Sequence, residues 1–199
     1  KLVRWADHVA DAAKAGRWET VLALVDHEEG VHDVNVWRPG GTSWFTPMHQ
    51  AAWHGAPRRI INGLVTRGGW LTLRTSGGRT PADIAAERGH GKLADKLRPR
   101  PIRYTDPAVC AHLDRQLAAL VDSRIRPHLT CRLRYPETSV LTEMPEGSTL
   151  WFPVPGMYGG FTIQLMRSYL FVQSWSRVVG GSGQAHVVTC DGATLVEQG

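Results

Sequence analysis

No stretch of this chain is apolar for the ~18 residues that a membrane-spanning helix needs, and Lys1-Leu2-Val3-Arg4-Trp5 does not read as a secretory signal. Cysteine is scarce: Cys110, Cys131 and Cys190 are odd in number and far apart. That argues against a disulfide framework and for a reducing compartment with free thiols. There is no C-x-x-C and no paired His/Cys spacing, so no metal site and no cofactor is expected. Acidic residues are missing altogether between Asp33 and Asp83, whereas Arg38, Arg58, Arg59, Arg67, Arg74 and Arg79 fall inside that window. Residues 1–101 carry 15 Lys+Arg against 10 Asp+Glu, and residues 102–199 carry 8 of each. The whole net charge of +5 therefore belongs to the first half. Such a field attracts an anionic partner surface.

What the chain does have is self-similarity. Thr46-Pro47-Met48-His49-Gln50-Ala51-Ala52-Trp53-His54-Gly55 returns as Thr80-Pro81-Ala82-Asp83-Ile84-Ala85-Ala86-Glu87-Arg88-Gly89, 34 positions later. Aligning on the closing glycine adds Gly16 and makes three repeats. Thr46 and Thr80 are placed to cap helix N-termini, with Asp7 in the same role in the first repeat. Pro47 and Pro81 follow at the first helical position, where a missing N–H costs nothing. The pairs Ala12-Ala13, Ala51-Ala52 and Ala85-Ala86 keep these helices thin, and each glycine ends its helix in a left-handed turn. Second helices are expected over about 18–25, 57–66 and 92–97. Ile60, Ile61, Leu64 and Val65 at helical spacing should face the core.

The T-P-x-H-x-A-A-x-x-G stretch resembles the helix opening of ankyrin repeats, over residues 5–98. The resemblance implies a short solenoid of helix pairs joined by finger loops. It also implies that His49 is scaffold, bonding the helix cap and adjoining backbone to tie repeats together. Trp37–Trp44 enlarges the first finger beyond the family's repeat length. The third repeat, with Asp83 in place of the histidine, looks like a terminal cap. Trp53 falls on an inner-helix position that points to the concave face, alongside Gln50, Asp11, Lys14, Ile84 and Glu87.

Arg98-Pro99-Arg100-Pro101 breaks the helix, and residues 99–105 read as a linker. From 106 to 199 the periodicity changes. Asp106-Pro107 opens a helix whose stripe is Val109, Leu113, Leu117, Leu120, Val121 and Ile125. Alternating runs follow at 129–135, 149–154, 160–166, 169–179, 185–190 and 193–197, with Asp191-Gly192 as a two-residue hairpin turn and 180–183 as a looser one. The expected fold class is therefore α+β overall: a three-repeat ankyrin solenoid, then one amphipathic helix on an antiparallel meander, possibly cystatin-like in arrangement. This second half also resembles the tail module of uncharacterised bacterial ankyrin proteins, which implies no activity.

Two functional readings follow. In the first, a cytoplasmic adaptor presents a basic, tryptophan-rich surface to an acidic protein partner. Its residues would be Trp37, Arg38, Trp44, Gln50, Trp53, His54, Trp70, Arg74, Arg79 and Glu87, since rigid aromatics beside arginines anchor interfaces. The competing possibility is that the second domain covers these rings. In the second reading an enzyme or ligand binder has a pocket in the C-terminal sheet, where Glu143, Tyr158, Trp175, Arg177, Ser182, Gln184 and His186 would converge and a histidine would act with Tyr158 or Glu143 as acid and base. No G-x-S-x-G elbow, Cys–His pair or phosphate loop accompanies them, and ordinary hairpin turns explain the glycines. Arginine and tryptophan together would suit nucleic acid, yet no RNP, KH or helix-turn-helix signature is present.

Overall fold

The computed structural model describes the chain except for residues 1, 27–32, 126–132, 155–157 and 178–181. It divides into two compact units, Lys1–Arg100 and Pro101–Gly199. Together they hold helices and one antiparallel sheet, so the chain is α+β.

The first unit is built of successive helix pairs: α1 (Leu2–Lys14) with α2 (Trp18–Asp26), α3 (Pro47–His54) with α4 (Arg58–Thr66), and α5 (Pro81–Glu87) with α6 (Gly91–Leu97). Helices α1, α3 and α5 pack side by side, and α2 packs on α4. The same turn ends the first helix of each pair. Gly16, Gly55 and Gly89 have φ of 69°, 63° and 79°. The residue after each glycine reaches back five positions: the Arg17, Ala56 and His90 N–H groups donate to the carbonyls of Ala12, Ala51 and Ala85 at 2.9, 2.9 and 2.8 Å. Only a left-handed residue lets the chain turn back and satisfy those carbonyls. At Gly55 a side chain is excluded twice over, because a Cβ would also come within 2.7 Å of the His90 ring.

The core of this unit is made of small and branched residues, among them Val9, Ala13, Ala51, Ala52, Ile60 and Leu64. Buried polar groups are bonded between neighbours. His49, fully buried, has Nδ1 2.8 Å from Thr46 Oγ1 and Nε2 3.0 Å from Leu73 O. Asn35 donates from Nδ2 to Gly68 O at 2.9 Å and accepts from Trp70 N–H at 2.8 Å. It thus joins the loop after α2 to the loop after α4. Three expectations fail. Asp7 lies inside α1, which begins five residues earlier, at Leu2, so it caps nothing. Ile84 is not on an exposed face but in the core, 2 % exposed. Val65 does not join Ile60, Ile61 and Leu64 in the core; it turns outward from α4 and is 44 % exposed.

In the second unit, α7 (Pro107–Ile125) is opened by Asp106, whose Oδ1 accepts the Ala108 N–H at 2.7 Å. It buries Cys110, Leu113, Leu117, Leu120, Val121 and Ile125. A five-stranded meander follows in simple order: β1 (Leu150–Val154), β2 (Gly159–Leu165), β3 (Leu170–Ser176), β4 (Ser182–Val188) and β5 (Ala193–Gln198). Leu113, Leu117 and Val121 of the helix pack with Phe161, Ile163, Val172 and Val188 of the sheet into one core.

Four details differ from the expected pattern. Residues 133–137 are not a strand; they lead into a short helix, α8 (Thr138–Leu141), and the rest of that expected strand lies outside the described residues. Within the expected linker, Arg103 donates to Leu165 O and Leu141 O, both at 2.7 Å, which binds it into the second unit. Between β4 and β5, Thr189 N–H donates to Gly192 O at 2.8 Å, so Cys190 and Asp191 form the tip of the turn rather than Asp191-Gly192. Of the looser turn, residues 180 and 181 lie outside the described residues, while Ser182 and Gly183 already belong to β4.

Candidate interaction surface

On the first unit, Trp53 projects from the last turn of α3 and is 42 % exposed. Its ring is held in place by neighbours. Phe45 meets it edge-on at 6.2 Å, and the Arg88 guanidinium sits 4.2 Å from its centroid. A cation over an indole is attracted by the ring's negative face. The backbone is held as well: Trp53 O faces His90 Nε2 at 3.3 Å. His54 makes the same kind of contact one pair earlier, with Nε2 3.0 Å from Lys14 O. It is thus tied to the end of α1.

Beyond Phe45 a cavity of about 160 Å³ opens, lined by Lys14, Arg38, Ser43, Trp44, Phe45 and Gln50 among others. Trp44 enters it from a left-handed backbone conformation, φ 57°, that a side chain of its size rarely adopts. Trp44, Gln50, Arg38 and Trp53 are therefore brought into one neighbourhood. Trp37 and Arg74 are half-buried and do not line the cavity. Trp70 is half-buried too, and its backbone is tied to Asn35.

The charge of this surface is not what the acid-free window implies. Arg38 is ion-paired with Asp7 and Asp11, Arg59 with Glu19, Arg67 with Asp26 and Arg79 with Glu87. Stacking of the helix pairs brings carboxylates from α1, α2 and α5 onto these arginines. Arg88 and Lys14, by contrast, have no carboxylate partner among the described residues. Two such cations therefore stand beside Trp53 and at the cavity. Arg88 and Phe45 were missing from the expected set. Arg88 occupies the repeat position of His54, and that equivalence is the signal that could have found it.

The second unit does not assemble the expected pocket. In the sheet register Val172 faces His186, Ser174 faces Gln184 and Ser176 faces Ser182, all on the side that packs on α7. Trp175 pairs with Gly183 on the opposite side, and Arg177 lies over the Trp175 ring at 5.4 Å. Trp175 and Arg177 are therefore separated by the sheet from Ser182 and His186, whereas Gln184 also lines a cavity with Trp175. Tyr158 is 77 % exposed ahead of β2, and Glu143 lies in the turn after α8. Neither lines a cavity with His186. The acid–base pair of His186 with Tyr158 or Glu143 does not form.

His186 instead sits under α7. It is 8 % exposed, and its Nδ1 is buried without a hydrogen bond. Burial, and then the nearby positive charge of Arg124, hold its pKa below the usual histidine value. Arg124 spends its donors on hydroxyls, reaching Ser174 Oγ from Nε and Ser182 Oγ, both at 3.2 Å. Among the described residues no cluster of His, Cys, Asp and Glu is arranged to hold a metal ion. No helix among them is long and apolar enough to cross a membrane. Compared with known proteins, the chain matches no family model, and no curated protein is significantly similar to it.

Proposed function

We propose that the chain is a protein-interaction adaptor whose first unit is a short ankyrin-type repeat array and whose ligand is an acidic segment of a partner protein. The observation that carries this is Trp53. A tryptophan 42 % exposed, braced by Phe45 and Arg88 and continuous with the Trp44–Gln50–Lys14 cavity, has the make-up of an interface anchor. Rigid bracing lowers the entropy lost on binding. Beside Trp53 and at the cavity, Arg88 and Lys14 are cations that can meet carboxylates, while Arg38 and Arg79 already have intramolecular partners. Repeated caps, left-handed glycines and the His49 and Asn35 bridges support the ankyrin reading. One long helix over a meander suits a cystatin-like second unit. Cys110 and Cys190 are not joined in a disulfide, which suits a reducing, cytoplasmic setting.

The test is capture of partners by affinity purification, followed by titration with wild type, Trp53→Ala and Arg88→Ala. Trp53→Ala should weaken binding by about 2 kcal/mol or more. Arg88→Ala should mainly slow association and flatten its salt dependence. Loss of thermal stability in Trp53→Ala with binding unchanged would assign the ring to the scaffold.

A further inference from the structure

The face of the sheet turned away from α7 has features that the adaptor reading does not use. Trp151 of β1 and Trp175 of β3 stack there, with centroids 5.4 Å apart and planes 20° from parallel, and both are about two-fifths exposed. Between them runs β2, where Gly160 leaves room for the Trp151 ring. A Cβ at that position would lie 2.9 Å from Trp151 Cη2. Trp151 thus backs Trp175 on the β1 side. On the other side a cavity of about 310 Å³ opens over β3, β4 and β5, lined by Trp175, Thr162, Gln173, Gly183, Ala185 and Glu197 among others.

The parts of this cavity have distinct chemistry. Its wall is one indole, and its floor is Gly183 and Ala185, which add no bulk. Its rim is an amide, a hydroxyl and a carboxylate: Gln173, Thr162 and Glu197. We propose that it binds a neutral saccharide, one pyranose ring packing its C–H face on Trp175 while its hydroxyls bond the rim. A pyranose is flat, apolar on its faces and hydroxylated around its edge, so it meets both surfaces at once. Glutamine offers two donors and an acceptor site, threonine one donor with acceptor lone pairs, and glutamate strong charge-assisted acceptance, which is what a ring of hydroxyls requires.

Charge selects among occupants. Glu197 and Arg177 flank Trp175 with opposite signs, which favours a ligand without net charge. A nucleic-acid strand needs a continuous cationic track beside the aromatics, and Glu197 interrupts one. A quaternary ammonium would be repelled by the like charge of Arg177, 5.4 Å from the Trp175 centroid, whereas a neutral ring is not. The size lies at the small end of ligand pockets, as suits one sugar unit of a longer chain crossing an open face.

The test is calorimetric titration of the full chain with cellohexaose, maltohexaose and N-acetylchitohexaose, each to about 10 mM, tenfold above a millimolar Kd. At least one should give saturable binding. Trp175→Ala and Gln173→Ala should each weaken it by about tenfold or more, the equivalent of one lost contact of 1.4 kcal/mol. Trp53→Ala, on the other unit, should leave it unchanged. Gly183→Leu is the control for folding: nothing lies within 4 Å of a Cβ there, so the side chain fits and fills the floor. It should abolish binding with the thermal transition preserved. Absence of saturable heat with all three sugars overturns the proposal, as does binding that survives both Trp175→Ala and Gly183→Leu. Trp175-dependent binding of decauridylate or of anionic vesicles in place of sugar overturns it too.

Discussion

The two units differ in how completely their buried polar groups are bonded. In the helix-pair unit, His49 and Asn35 each bond backbone from a neighbouring loop, and His54 and His90 bond the carbonyls that end the preceding helices. In the helix-on-sheet unit, Thr138 Oγ1, Ser139 Oγ and His186 Nδ1 are buried without a hydrogen bond. A buried polar group without a partner costs about 1–3 kcal/mol. The second unit must therefore offset that cost with apolar burial, and its core does contain the larger side chains, Phe161, Ile163 and the leucines of α7. A stacked array of short helices has little apolar volume per pair, so side-chain bridges carry more of its cohesion. A helix laid on a sheet has volume to spare and tolerates imperfect polar pairing.

Several substitutions would break or sharpen this contrast. The largest effect belongs to Phe161→Ala, which empties the middle of the second core; about 3–5 kcal/mol of stability should be lost in chemical denaturation. His49→Ala should follow with a loss of about 2–3 kcal/mol, because Leu73 O and Thr46 are left buried and unbonded. An apolar replacement that cost nothing there would show that the bridges are incidental.

The next effect is one of pH. Because His186 has a folded pKa below its unfolded value near 6.5, the folded state prefers the neutral ring. Its contribution is intact above the unfolded pKa and is lost as pH falls from there toward the folded value. His186→Leu should flatten the stability profile on the acid side of pH 6.5, and an unchanged slope would remove His186 from the account. The smallest effect belongs to Arg59→Ala, which opens an exposed ion pair with Glu19 and should cost about 0.5 kcal/mol or less.

Much of the architecture was legible from residues alone. The repeated capping threonines, prolines and closing glycines place α3 and α5, and alternation places β1 to β5 within a few residues. Short-range chemistry of this kind is written locally. What escaped depends on distance. The partners of Arg38, Arg59 and Arg67 lie 27 to 41 positions away, so an acid-free window in sequence is not an acid-free surface in space. Which face Trp175 shares with Gly183, and does not share with His186, depends on the register across β3 and β4, and an error of one residue reverses it. Helix α8 is a four-residue Thr-Ser-Val-Leu segment with no helical periodicity to show. Of the candidate residues, Trp44 and Gln50 line one cavity and Trp53 lies next to it across Phe45, whereas the C-terminal set divides between two faces.

Trp44 carries one more implication. A bulky residue at φ 57° holds a conformation that glycine or asparagine would adopt with less strain, by about 1 kcal/mol or more. An engineer who relaxed it with Trp44→Gly would strip a partly buried indole from the cavity wall, a loss of about 1.5–3 kcal/mol that outweighs the strain relieved, so the ring's own packing is what holds the backbone there.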